Sequence, residues 1–479
     1  MTKSLPQPQS VFKYFYEVSK IPRSSGNTKA VSDYCVQFAK EQSLWYKQDK
    51  FNNIIIKKPA YEGYEGKPPV IIQGHLDMVC EKTSQTKIDF EKDGLNLLID
   101  GDMIYADGTT LGADDGIAVA YALALLESKD IPAPPLEVIL TTDEETGMDG
   151  AINLDFSCIE GRILLNIDSE NEGVFTVSCA GGLCCDGNIY CKSNIVNADG
   201  FEIKIQGLAG GHSGVEIDKG RANANKVAGE LLSALLKIPG VRLSKINGGK
   251  KHNAIPNECE LTIAFSDNEN SVTEQIEKFR SEQKIKFQFT DPGFNISYNK
   301  FTDRTIKVFD ADSGNRTAEF LSIVSDGVKS MSTDIDGLVE TSSNLGIVKT
   351  NEDNIYFLSS VRSSEDSQSK ALGEDICNLA EKCGGKASVS GSYPAWEYRK
   401  KSHLRSVMCD VYKRQYGKEP VIEAIHAGLE CGIFCGKADN LDCVSFGPDI
   451  FDIHTVNERM SISSVQRVWK FIKSVLISL

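Results

Sequence analysis

The chain has 479 residues with 52 Lys and Arg against 67 Asp and Glu, a net charge of −15. At roughly 100 to 200 residues per domain this length predicts two or three domains with ample core, and the acidic balance argues against a nucleic-acid partner. The longest unbroken apolar run, Ile117 to Leu126, falls far short of the ~20 residues that cross a bilayer, and the opening MTKSLPQPQS carries Pro and Gln where a secretory signal needs an apolar stretch, so a cytoplasmic protein with no membrane partner is expected.

Fourteen cysteines without a signal segment read as reduced thiols, and no C-x-x-C occurs. They are expected to be small buried hydrophobes.

In chain order, Val11 to Glu41 reads as helices broken by Pro and Gly between Ile21 and Asn27. Pro69 to Ile72 is a short apolar run bounded by turn residues, the pattern of a buried strand, and it runs into Gly74 and His75. Ile117 to Lys129 is an apolar helix opened by Asp114, Asp115 and Gly116, acids that suit the positive end of its dipole. Leu136 to Thr142 and Arg162 to Ile167 are further strands, the first followed by acids and Gly147, the second by Asp168. Alternating helices and strands predict an α/β sheet with crossover helices.

From about Asn197 the texture shifts to polar loops, amphipathic helices and the Gly-rich segment Gly207 to Gly214. Strand-then-helix patterns recur at Glu260–Phe265 with Ser271–Gln283 and at Ile355–Val361 with Asp366–Cys383. After Pro394 a helix at Ser402–Tyr416 and a strand at Cys443–Phe446 restore the α/β pattern. The expected organisation is one α/β domain built from residues 1–196 and 393–479, with an α+β domain inserted at 197–392.

Strand ends in the first part deliver metal-ligand residue types: His75 and Asp77 in GHLDM, Asp114 in LGADD, Glu144 and Glu145 in TDEET, and Asp168 in NIDS. Ligands bind beyond the carboxyl ends of strands in open α/β sheets, so these side chains converge although far apart in sequence. Each alone reads more readily as a local hydrogen-bonded pair, a cap or a solvated loop acid; together, several carboxylates in one crevice repel unless a cation neutralises them. Imidazole and carboxylate without thiolate suit zinc, manganese or cobalt, and five ligand-type residues, counting a C-terminal histidine, exceed what one catalytic zinc uses and suit a two-metal centre. Glu144, adjacent to a ligand but facing the other way on an extended segment, is placed for general-base work. No G-x-G-x-x-G or G-x-x-x-x-G-K-[ST] follows a strand, which counts against a nucleotide-binding enzyme.

GHLDMV, TLGADDGIAVA, LTTDEETGMDGA and NIDSE, followed by GLAGGHSG and HAGLECG, resemble the aminoacyl-histidine dipeptidases (peptidase D) of the dinuclear-zinc peptidase clan that includes carboxypeptidase G and dipeptidase V. The resemblance runs in order along nearly the whole chain. It implies a mixed-sheet α/β metallopeptidase catalytic domain with an inserted α+β lid, and two divalent ions. One ion would be held by His75 and Asp168, the other by Glu145 and His454, with Asp114 between them. Asp77 would orient His75, and Glu144 would act as base on a metal-bridging water. The sequence after His454 is Thr-Val-Asn, where the family pattern is closer to Ser-Pro-Asp. His212 of the lid would stabilise the oxyanion, Arg362 would pair with the substrate carboxylate, and Asn253 with the Gly428–Glu430 turn would complete the pocket.

The implied activity is hydrolysis of unblocked dipeptides, Xaa-His included. Alternatives are an aminoacylase or carboxypeptidase of the same clan, or a metal-bound peptide-binding protein without catalysis, against which the presence of Glu144 speaks. A lid of this length either closes its own site or pairs two chains in a homodimer.

Overall fold

A computed structural model describes residues 5–479. The chain divides into two compact units. The first comprises the described residues up to Ser178 together with Tyr398–Ala424 and Leu429–Leu479, and the second comprises Cys179–Glu397 with Ile425–Gly428. The change of texture at Asn197 falls inside a strand, Ser193–Gln206, because the second unit opens on an apolar strand, Gly181–Tyr190, that reads like its α/β predecessors.

The first unit holds an eight-stranded mixed sheet in the order Trp45–Gln48, Ile54–Lys58, Leu136–Thr141, Val70–His75, Ile163–Asn166, Asp442–Ser445, Val174–Cys179, Val421–Ile425. Its four central strands, from Leu136–Thr141 to Asp442–Ser445, run parallel, so their carboxyl ends share one edge. Being covered on both faces, the Val70 and Leu136 strands are buried at every position, which is why they read as continuous apolar runs rather than alternating ones.

Helix Ala113–Glu127 is buried from Ala113 to Leu126 and packs beneath this sheet. The C-terminal helix Ile462–Ser478 covers it: Tyr121 stacks on Trp469 with 5.9 Å between ring centroids, and its hydroxyl donates to the Val465 carbonyl at 2.9 Å. An apolar helix enclosed on all sides has no surface on which to slide, so the turn that opens it is a fixed platform.

The second unit is built on a nine-stranded antiparallel sheet in the order Asn295–Phe309, Ser193–Gln206, Cys259–Phe265, Arg242–Gly248, Val339–Thr350, Asn354–Ser363, Gly181–Tyr190, Gly385–Tyr393, with Gly327–Met331 paired to the Val339 strand. Helices Ala224–Leu235, Glu269–Lys286, Ala311–Ile323 and Asp366–Lys382 supply the rest of its core, to which Leu231, Leu232, Ile276, Phe320 and Ile376 contribute buried side chains. The cysteines are unbridged, as their reading required. Cys80, Cys158, Cys184, Cys377, Cys409 and Cys435 are only half-buried, however, so not every thiol is a core residue.

Candidate active site

Parallel strands bring the carboxyl end of Val70–His75 beside those of Leu136–Thr141 and Ile163–Asn166, and each delivers its acid or imidazole to the same edge of the sheet. His75 Nε2 lies 3.1 Å from Asp114 Oδ1 and 3.7 Å from Asp168 Oδ1. His454 Nε2 lies 3.0 Å from Asp114 Oδ2 and 3.1 Å from Glu145 Oε2. The two oxygens of Asp114 therefore face two different imidazoles. His75, Asp114 and Glu145 offer ligand atoms within 4.8 Å of one another, as do His75, Asp115 and Asp168. His454 adopts φ 60°, a left-handed conformation that costs a non-glycine residue about 1 kcal/mol and that the site's contacts must offset.

Asp77 does more than stand behind His75. Its Oδ1 is 3.4 Å from His75 Nδ1, and Oδ2 accepts from the Ser25 hydroxyl at 2.7 Å. The same carboxylate accepts the backbone N–H groups of Glu144 at 3.1 Å and Glu145 at 3.3 Å, so one buried side chain aligns the imidazole with the acidic segment. That segment is not extended, contrary to the sequence reading. Asp143 has φ 57°, and Gly147 and Met148 donate back to the carbonyls of Glu144 and Asp143, which makes it a turn. The different settings of Glu144 and Glu145 come from this turn rather than from strand alternation. Glu145 meets His454, and burial pushes both carboxyls up, that of Glu144 well above its ordinary value.

Several supporting residues carried no sequence signal. Glu458, buried, accepts the backbone N–H groups of Leu111, Gly112 and Ala113 at 2.7, 2.9 and 2.8 Å, and that of Asp114 at 3.4 Å. It does the capping that acids at a helix start, such as Asp114 and Asp115, usually do, which frees Asp114 to face the histidines. Asp115 instead accepts the His75 N–H at 3.1 Å. Arg23, also buried, donates to the carbonyls of Leu76 and Asp77 at 2.9 Å each and to that of Gly112, joining the two loops. Glu430, expected in a substrate pocket, is enclosed within the first unit. Its Oε2 accepts from Gln73 Nε2 at 2.5 Å and from the Thr141 hydroxyl at 2.7 Å, while Oε1 is buried without a partner. Burial pushes its carboxyl up to about 8.

The remaining sequence candidates, His212, Asn253, Arg362 and Gly428, lie in the second unit. Strand pairing brings two of them together: Gly211 and His212 pair with Ile255 and Ala254, and the Asn253 carbonyl accepts from the Ser213 N–H at 3.0 Å. Asn344 Nδ2 donates to the carbonyls of His252 and Ala254 at 2.9 and 3.0 Å, pinning the turn that carries Asn253. His212 Nδ1 accepts from the N–H groups of Gly214 and Val215 at 3.2 and 3.3 Å, so the neutral ring carries its proton on Nε2. Burial and the nearby Arg362 charge lower the His212 pKa, favouring that neutral form.

Residues 203–284 match the family model described as a peptidase dimerisation domain, M20 type. The chain is 36% identical over 474 residues to the cytosol non-specific dipeptidase of Escherichia coli K12, an alignment covering 98% of this chain and 97% of the relative. The chain belongs to the M20 family of metallopeptidases. Its fold matches the crystal structure of the aminoacylhistidine dipeptidase from Vibrio alginolyticus with a TM-score of 0.90 at 36% identity, over 99% of this chain and 98% of that one. The aminopeptidase PepT from Bacillus cereus shares the fold at 15% identity and a TM-score of 0.57. The resemblance read from the motifs is thus borne out, as are the mixed-sheet α/β fold and the assignment to metallo-hydrolases.

The M20 centre fits a divalent metal on its own chemistry. Burial disfavours charge on His75, yet Asp114, Asp168 and Asp77 hold its pKa well above the ordinary value. Hydrogen bonds donated to the Asp114 and Glu145 carboxylates push His454 up to about 11. The cluster thus draws positive charge to itself, which a metal ion supplies in place of those protons.

Proposed function

We propose that this M20 peptidase hydrolyses the single peptide bond of unblocked dipeptides, Xaa-His among them, at a two-metal centre in its first unit. His75 and Asp168 would hold one divalent ion and Glu145 and His454 the other, with Asp114 shared between them. The observation that carries this reading is the division of the Asp114 oxygens between His75 and His454. Bound ions of this kind, zinc as first choice for an imidazole and carboxylate set and manganese or cobalt as alternatives, polarise a carbonyl and lower the pKa of water.

Glu144 takes a proton from the attacking water and returns it to the leaving amine nitrogen. Desolvation raises its pKa well above the ordinary carboxyl value, the direction that favours taking up and returning a proton. Asp77 fixes the His75 ring and holds the Glu144 backbone. His212 donates its Nε2 proton to the oxyanion. Arg362 pairs with the substrate carboxylate, with Asn253 and the Gly428 backbone completing the pocket; Arg362 suits this because, among the described residues, no acid forms an ion pair with it. The first unit is the catalytic domain and the second its lid, the protein works in the cytoplasm, and the dimerisation segment at 203–284 pairs two chains.

The test is a substrate panel on metal-stripped protein with single metals added back. Free dipeptides should be cleaved only after metal is restored, and N-acyl amino acids and longer peptides should be poor substrates. Preferential cleavage of N-acyl amino acids would assign an aminoacylase instead, and preferential trimming of long peptides a carboxypeptidase.

A further inference from the structure

Four positions lie in one row across the sheet of the second unit. Arg362 pairs with Ser342 on one side and with Gly182 on the other, and Gly182 pairs in turn with Tyr393. Arg362 and Tyr393 are thus two strands apart, about 9.5 Å between backbones at the usual strand spacing of about 4.8 Å. Even so, Arg362 Nη1 donates to the Tyr393 hydroxyl at 3.0 Å.

Gly182 makes this reach possible. A Cβ at that position would stand 2.6 Å from the Tyr393 hydroxyl oxygen and 2.7 Å from Cζ, so any side chain there would occupy the path of the phenol. On the other flank the Ser342 hydroxyl meets His426 Nε2 at 2.7 Å. Burial, then the Arg362 charge, pushes His426 down to about 4, so it is neutral at physiological pH and Arg362 is the only charge in the row. The phenol oxygen accepts from the guanidinium, and among the described residues no hydrogen bond uses the phenol's own proton. Arg362 Nε is likewise buried without a partner. An unpaired guanidinium beside a phenolic donor with an uncommitted proton is a recognition element for a carboxylate.

We propose that Tyr393, crossing over Gly182, is a positioning residue that orients Arg362 for the free carboxylate of the substrate and so determines selectivity for unblocked C-termini. This rests on the reading of Arg362 given above. A phenylalanine at 393 keeps the ring and removes only the oxygen, leaving Nη1 without its partner and the guanidinium free to rotate.

The experiment compares kcat and KM of the metal-loaded enzyme on a free dipeptide and on its C-terminal amide, for the wild type, Tyr393→Phe, Gly182→Ala and Arg362→Ala. Tyr393→Phe should lower the acid-to-amide selectivity ratio about tenfold, through a higher KM for the acid with kcat within about twofold, the scale of one hydrogen bond to a charged group. Gly182→Ala, which displaces the phenol from the other side, should lower the ratio in the same direction. An unchanged ratio in Tyr393→Phe, with Arg362→Ala losing selectivity, overturns the role of Tyr393 alone. Equal losses on acid and amide in Arg362→Ala overturn the underlying reading of Arg362.

Discussion

His454 Nε2 sits 3.0 Å from Asp114 Oδ2, although 340 residues separate them in the chain. Asp114 opens the buried helix Ala113–Glu127, and His454 stands on a loop in left-handed backbone near the C-terminus. The site therefore closes only when both ends of the chain have folded into the first unit.

Removing either residue should have different consequences. His454→Ala should lower metal content from two ions to about one per chain and weaken turnover, with excess metal restoring part of it. Asp114→Ala should lose both ions. Metal analysis after gel filtration checks this; equal stoichiometry in the two variants would remove Asp114 from between the metals.

Glu458 gathers the N–H groups that precede and begin the Asp114 helix. Glu458→Ala leaves those buried donors without an acceptor, a loss of about 3 to 5 kcal/mol on the scale of broken buried polar networks. The melting temperature of the metal-free protein should fall clearly, and the metal-loaded form should lose affinity as Asp114 shifts. An unchanged melting temperature would show that the cap is dispensable.

Asp77 touches both His75 and the backbone of Glu144 and Glu145. Asp77→Asn keeps the size but loses the charge, and should weaken metal binding by about 10- to 100-fold, as for other carboxylates behind a metal-bound imidazole. Because the Glu144 backbone is released as well, turnover should stay depressed even at saturating metal. Full recovery with added metal would confine Asp77 to orienting the imidazole.

Much of the candidate cluster is legible because strand ends carry it: His75, Asp77, Glu144, Glu145 and Asp168 each follow an apolar run whose burial the sequence announces. Asp114 was legible as a residue but not in its setting, since acids at a helix start usually cap it, and the cap here is Glu458, 344 residues away. Arg23 was invisible for the same reason: its partners are carbonyl groups of distant loops, and backbone acceptors leave no mark on residue type. Asp143 shows the limit of pattern reading in the opposite direction. Nothing in TDEET announces a left-handed residue, so the pattern predicts an extended segment where the chain turns. The Ser342–Arg362–Gly182–Tyr393 row depends on register across four strands, which one-dimensional periodicity cannot supply.

His212, with its proton on Nε2, should matter to turnover and not to metal. His212→Ala should lower kcat by about 10² to 10³ while metal content stays at the wild-type value. Undiminished kcat would take His212 out of the mechanism.

The most direct test of the central claim is metal content and turnover measured together on Glu144→Gln, with Glu145→Gln alongside. The two acids are neighbours in one turn, and only the contact of Glu145 with His454 sets them apart. Glu144→Gln should retain two metals per chain while turnover on free dipeptides falls by about 10² to 10⁴, the range for a lost general base; Glu145→Gln should lose or weaken one metal. If Glu144→Gln loses metal while Glu145→Gln keeps it, the two roles are reversed, and if neither change alters metal or turnover, the catalytic centre does not lie in this cluster.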